Sequence, residues 1–167
     1  VFSASSYSAP TTMPIGVAYM AACLLKNGHE VNCIDALAED INQIRTSYHP
    51  GVRYRVLSNV QIVAKIKDKP DAIALTAMFS QDWPHVQDLI VKLRDRFPGI
   101  PIIVGGEHPT ALPEHVLDTC GEVDYVAIGE GEGTIVDFAE FLDGNRELDS
   151  VAGIGYRNGD GIVKTEI

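Results

Sequence analysis

Apolar positions along this chain change their spacing several times, and each change marks an element. Val1-Phe2-Ser3-Ala4 reads as a strand, and after the loop Ser5–Thr12 the spacing becomes helical. Pro14 opens that helix, where its fixed φ is preorganised and its missing N–H has no partner to lose. Ile15, Ala18, Tyr19, Ala22 and Leu25 form its predicted buried stripe, and Gly28 supplies the left-handed stop. Val31–Asp35 is the second predicted strand. The polar stretch Ala36–Ser58 has no clear period and leads into a helix around Val60, Val63, Ala64 and Ile66. Ala72–Thr76 is nearly continuous in apolar residues, the mark of a strand covered on both faces. Helix (Val86, Leu89, Ile90, Leu93), strand (Ile100–Val104), short helix (Pro113–Thr119), strand (Val123–Ile128) and helix (Ile135, Phe138, Ala139, Leu142) follow in turn.

Such alternation predicts an α/β protein, a flavodoxin-like or Rossmann-like doubly wound fold with five parallel strands in the order 2-1-3-4-5. A C-terminal β-hairpin over Gly153–Ile162, turning at Asn158-Gly159, completes it. Residues 1–150 form the α/β domain in this reading, and 151–167 form the hairpin and the start of a linker. The chain opens inside a strand without methionine and stops in an alternating run, as expected of a piece excised from a larger protein.

Composition narrows the function. With 167 residues and 46% apolar content the chain is long enough for one globular core. Thirteen basic against twenty-three acidic residues leave a net charge of −10, which disfavours nucleic acid and anionic membrane surfaces. No apolar run reaches the roughly 20 residues of a spanning helix, and no signal peptide is visible, so a cytoplasmic location is expected. Cys23, Cys33 and Cys120 have no metal-motif spacing and read as small buried thiols.

In a doubly wound sheet, ligands sit beyond the carboxyl ends of the strands. That directs attention to four loops, Ser3–Pro14, Thr76–Trp83, Gly105–Pro109 and Gly129–Gly133. The last, Gly129-Glu130-Gly131-Glu132-Gly133-Thr134, lacks the third glycine of a dinucleotide fingerprint, follows the fifth strand, and would set two glutamates against phosphates. Its carboxylates complement a helix dipole, or its glycines let backbone approach a bulky ligand. A phosphoacceptor receiver would need an acid pair, an Asp and a Lys at strand ends that here carry Ser, Thr-Ala-Met and Gly. Asp82, His85, Glu107, His108 and His115 match no known metal spacing, and no serine elbow or cysteine with an oxyanion loop supports acyl chemistry. Two adjacent glycines after Ile102-Ile103-Val104 leave a slot free of side chains at a strand's end.

Residues 79–104 separate the Thr76-Ala77-Met78 turn from Gly105-Gly106. Together with Pro14–Ala22, Asn27–Val31, Ile34-Asp35, Gly105–Thr110, Val123–Val126, Gly129–Glu132 and Ile154–Arg157, this ordered set resembles the N-terminal cobalamin-binding domain of cobalamin-dependent radical S-adenosylmethionine enzymes. The resemblance spans nearly the whole chain. It implies that Thr76, Ala77, Gly105 and Gly106 line a slot for the dimethylbenzimidazole base, with the Thr76 hydroxyl on a ring nitrogen, while Met78 and Phe79 pack on corrin or tail. Ser5, Ser6 and Tyr7 would lie under the corrin ring, Tyr7 facing cobalt. Glu107, His108, Gly129, Glu130, Gly131 and Glu132 would meet corrin amides or the nucleotide sugar and phosphate. The first loop lacks the histidine of Asp-x-His-x-x-Gly, which implies base-off binding without a histidine axial ligand. No Cys-x-x-x-Cys-x-x-Cys is present, so the 4Fe-4S cluster and S-adenosylmethionine are expected only in a C-terminal radical domain outside this sequence, most commonly one that methylates an unactivated carbon. Two other readings stay open. One is a non-enzymatic corrinoid carrier or a ligand-free interaction domain, the other a nucleotide or nucleotide-sugar domain. Corrinoid uptake sets the enzyme module and the carrier apart from the ligand-free and nucleotide readings, and a neighbouring three-cysteine motif would separate enzyme from carrier.

Overall fold

In the computed structural model, which describes residues 14–40, 42–46, 53–159 and 161–167, the helix opened by Pro14 runs as α1, Ile15–Lys26. Its expected stripe is not buried. Ile15, Tyr19 and Leu25 are exposed, because the described part of the molecule meets α1 chiefly through one helix near the other end of the chain. Val31–Asp35 has no strand partner among the described residues, and the first strand expected beside it lies outside them. Asp35 Oδ1 accepts from the backbone N–H groups of Leu37 and Ala38, 3.1 Å each, and the chain turns into a short 3-10 stretch at Ala38–Asp40. A carboxylate placed there offers the backbone a local partner.

The polar stretch holds a small antiparallel pair, β1 (Ile44–Thr46) and β2 (Arg53–Arg55). Helix α2, Asn59–Lys65, then starts on a capping box. Ser58 Oγ accepts from Gln61 N, and Gln61 Oε1 accepts from Ser58 N at 2.8 Å. The remaining elements are β3 (Ile73–Thr76), α3 (Trp83–Arg96), β4 (Ile102–Gly105), α4 (Glu107–Ala111), α5 (Pro113–Thr119), β5 (Tyr125–Ala127), α6 (Gly131–Leu142), β6 (Ile154–Asn158) and β7 (Gly161–Lys164). Helix α6 is the one that α1 meets.

Strands β3 to β7 form one open mixed sheet in sequence order. β3, β4 and β5 are parallel, whereas β6 pairs antiparallel with β5 and β7 antiparallel with β6. The third, fourth and fifth expected strands lie side by side as β3, β4 and β5, and the sheet is mixed where an all-parallel one was expected. The first expected strand lies outside the described residues, the second has no partner among them, and two antiparallel strands extend the other edge. Residues 143–153 carry the chain back to the end where β5 finishes, so that Ile154 pairs with Ala127 and β6 runs down beside β5. The C-terminal segment expected as a hairpin thus pairs as β6 and β7 and extends the sheet beyond β5.

The parallel strands are covered on both faces. Ile102 and Val104 join a core with Ile90, Leu93, Val116 and Val126, while Ile103, between them, turns to the opposite core with Phe138, Val151 and Ile154. Each such fully buried aliphatic contributes about 1.5–3 kcal/mol, so the strand cannot slip by one residue without exchanging its two cores. That fixed register places the ends of β3, β4 and β5 side by side. Among the described residues no helix is long and apolar enough to cross a membrane.

Candidate functional site

Thr76 is the last residue of β3 and lies opposite Gly105, the last of β4. The pairing continues one step further, with Ala77 N donating to Gly105 O at 2.8 Å. Gly106 then adopts φ +108° and ψ −176°, a conformation that side chains resist. A β-carbon on it would stand 2.8 Å from Ala77 O and 3.2 Å from Thr76 Oγ1. The missing side chain thus serves first to let the ends of β3 and β4 close on each other, and the chain's own Ala77 carbonyl fills that point. A β-carbon on Gly105 would stand 3.4 Å from Ala127 Cβ. The two glycines and the end of β3 thus meet in a closely packed ledge. Thr76 Oγ1 borders it and makes no side-chain hydrogen bond among the described residues.

The ledge is flanked on one side by exposed apolar groups. Met78 and Phe79, in the stretch leaving β3, are 41% and 47% exposed, and Leu112, between α4 and α5, is 45% exposed. Large apolar side chains left in water at the carboxyl end of a sheet are poised to be covered by something.

Residues 107–111, expected as loop, form the short helix α4. Its His108 N donates to Ala77 O at 3.1 Å, which ties the helix to the end of β3. The imidazole is buried, 3% exposed, with its ring 4.9 Å from that of Trp83 and 6.2 Å from His115. Its Nδ1 shares a 2.9 Å hydrogen bond with Ser80 Oγ. Burial, with the neighbouring His115 adding to it, holds the imidazole below the usual histidine range, so it is neutral near pH 7. Nε2 of His108 and Nε1 of Trp83 are buried without a hydrogen-bond partner among the described residues. Glu107 stays exposed.

The loop after β5 completes the rim. Gly129 N donates to Thr110 Oγ1 at 3.0 Å, joining α4 to the start of α6. Glu130 precedes α6 without a side-chain cap bond, and Glu132 sits in its first turn, where a carboxylate complements the dipole. A β-carbon on Gly131 would stand 3.1 Å from Met20 Sδ, so α1 passes close here.

The sequence-predicted set is therefore partly gathered. Thr76, Ala77, Met78, Phe79, Gly105, Gly106, Glu107 and His108 share the ends of β3 and β4, and Gly129–Glu132 adjoin them through Thr110. Ser5, Ser6 and Tyr7 lie outside the described residues. Among the described residues no group of three or more histidine, cysteine, aspartate or glutamate side chains comes together to hold a metal. The Cys120 thiol is buried beside Glu122 and pushed up to about 11, which leaves it inert at neutral pH. Cys33, read from sequence as buried, is exposed, and Cys23 is half-buried. Sequence reading assigns no role to Ser80, Trp83 or Thr110. Their partners are distant along the chain and visible only once the strand ends are aligned.

Residues 6–139, more than half of the chain, match the protein family described as the B12 binding domain. A cytidylyl-2-hydroxyethylphosphonate methyltransferase of Streptomyces wedmorensis is 36% identical over 157 residues, covering 92% of this chain and 29% of that protein. An uncharacterized methyltransferase of Pyrococcus horikoshii is 30% identical over 158 residues, covering 93% of this chain and 30% of the other. The chain thus spans less than a third of the length of these relatives. The structure of the radical S-adenosylmethionine methyltransferase TsrM from Kitasatospora setae, with cobalamin and a 4Fe-4S cluster bound, superposes with a TM-score of 0.75 over 97% of this chain and 27% of that one. At 15% identity that likeness concerns the fold.

Proposed function

The chain belongs to the B12-binding domain family, and from that membership we propose that it is the cobalamin-holding module of a larger radical S-adenosylmethionine enzyme of the methyltransferase type. The observation that carries this reading is the join between family and geometry. The family match covers the Thr76–Gly106 ledge, and the ledge has the parts a corrinoid needs. A planar base meets the backbone of Gly105 and Gly106 at the outer rim of the ledge. The unengaged Thr76 hydroxyl donates to its ring nitrogen, and Met78 and Phe79 cover apolar faces of corrin or tail. Backbone N–H groups and the hydroxyls and carboxylates of residues 107–110 and 129–132 meet the polar rim of amides, sugar and phosphate.

When bound, cobalamin supplies a cobalt centre able to change oxidation state, and the protein supplies orientation and surroundings. His108 faces Ser80 and Trp83, and His85 is buried in α3. Our reading is accordingly base-off binding without a histidine ligand, with the nucleotide tail at the ledge. The iron–sulfur cluster and S-adenosylmethionine belong to a partner domain of the same enzyme, C-terminal to residues 151–167, and the corrin is held between the two.

Reconstitution tests the proposal. After incubation of the chain with hydroxocobalamin and removal of free corrinoid, a retained chromophore with a base-off spectrum is expected. Thr76→Val removes one hydrogen bond worth about 1 kcal/mol and should weaken binding severalfold. A colourless protein overturns the reading.

A further inference from the structure

The cofactor reading leaves unexplained why the histidine of α4 is buried beside the ledge. Bulky polar groups enter a core when they are hydrogen-bonded, and His108 makes its side-chain bond to Ser80. Ser80 directly follows Phe79, so the bond fastens the far end of the exposed Met78–Phe79 segment, while the His108 N–H fastens its near end through Ala77 O. One residue of α4 therefore pins both ends of the segment Ala77–Ser80. The Trp83 ring, against the imidazole, keeps water from competing for Nδ1.

We infer that His108 is a positioning residue. Its neutral imidazole, through Ser80, holds the Met78–Phe79 lip in the shape that receives the corrinoid, and it does so without touching the corrinoid itself. The inference rests on the cobalamin reading for what the lip receives, while the clamp stands on the geometry alone. It assigns the two ring nitrogens different weight. Nδ1, bonded to Ser80, carries the role, and the unpartnered Nε2 does not.

The two amide side chains separate the nitrogens. Asparagine places its amide where Nδ1 lies and can still reach Ser80, whereas glutamine reaches toward the Nε2 position. Hydroxocobalamin titrations of the 167-residue chain are compared for wild type, H108N, H108Q, H108A and S80A, together with hydrogen exchange of residues 77–82 in the cofactor-free proteins. We expect H108A and S80A each to weaken binding about tenfold and to speed exchange across 77–82. The double variant H108A/S80A should be no worse than either single one, and H108N should recover most of both losses while H108Q does not. Equal behaviour of H108N and H108Q, or an S80A protein with wild-type exchange and affinity, overturns the clamp. If the wild type takes up no corrinoid, the cofactor reading falls, and the exchange pattern alone still decides whether His108 holds the lip.

Discussion

At the scale of single residues, two side-chain environments make the strongest commitments. Gly106 sits at φ +108° with its missing β-carbon facing the Ala77 carbonyl. Gly106→Ala should therefore destabilise the fold by about 1–3 kcal/mol, read as a lower urea midpoint, and a larger side chain should do worse. Sequence alone suggests the pair Gly105–Gly106 as an empty slot. It shows that side chains are unwelcome there but not that the neighbour is the protein's own backbone, since that neighbour is 29 positions away in the register that joins β3 to β4. His108 was legible as a polar residue next to glycines, and its burial against Trp83 was not. Its neutral burial has a pH consequence. With the folded-state value held below the ordinary 6.5, the unfolded chain binds a proton before the folded one does. Stability should be complete above about pH 6.5 and fall as pH drops through the folded value. The groups against the imidazole are Ser80, Trp83 at the start of α3 and His115 of α5. Urea midpoints between pH 7.5 and 5.0 should decline more steeply in the wild type than in H108N, and parallel profiles would remove His108 as the source.

At the scale of elements, the alternation of helices and strands from residue 59 onward was readable because each apolar run is long and sharply bounded. Elsewhere a strand depends on its neighbour. Val31–Asp35 alternates like a strand, and the first strand expected beside it lies outside the described residues. Residues 154–158 alternate equally well, and there the sheet edge beside β5 supplies the partner. Alternation proposes a strand, and only a free edge makes one. Arg157 shows what joins β6 to the helices. Its guanidinium donates to the carbonyls of Leu117, Cys120 and Val123 at 2.7 to 3.1 Å, closing the end of α5. Arg157→Ala leaves those carbonyls without their donor and should lower stability by about 2–3 kcal/mol, with Lys restoring only part because an ammonium cannot span all three. Thermal denaturation of the three proteins checks this, and an unchanged Arg157→Ala protein would contradict it. At the other end of the chain, Ser58→Ala removes the capping box of α2 and should lower stability by about 1 kcal/mol.

At the scale of the whole molecule, the sheet aligns the ends of three parallel strands, and the polar and glycine-rich residues collect there, while the opposite end is tied by Arg94 to Asp124 at 2.6 Å and to the carbonyls of Ile100 and Glu122. That division of labour puts rigidity at one edge and ligand-facing loops at the other, as an open α/β sheet favours. The cofactor class was legible from an ordered string of short motifs, each weak alone and informative only together. A reaction was not legible, since the motifs that stand out in these residues concern the cofactor and none concerns a substrate.

The central claim is that the ends of β3 and β4 hold cobalamin by its nucleotide tail. The most direct measurement is a pair of equilibrium titrations under identical conditions, one with hydroxocobalamin and one with cobinamide, which has the corrin ring but no nucleotide tail. Saturable one-to-one binding of cobalamin, with cobinamide at least tenfold weaker and Thr76→Val narrowing the gap, is the predicted result. Equal affinity for the two, or no uptake of either, would contradict the account.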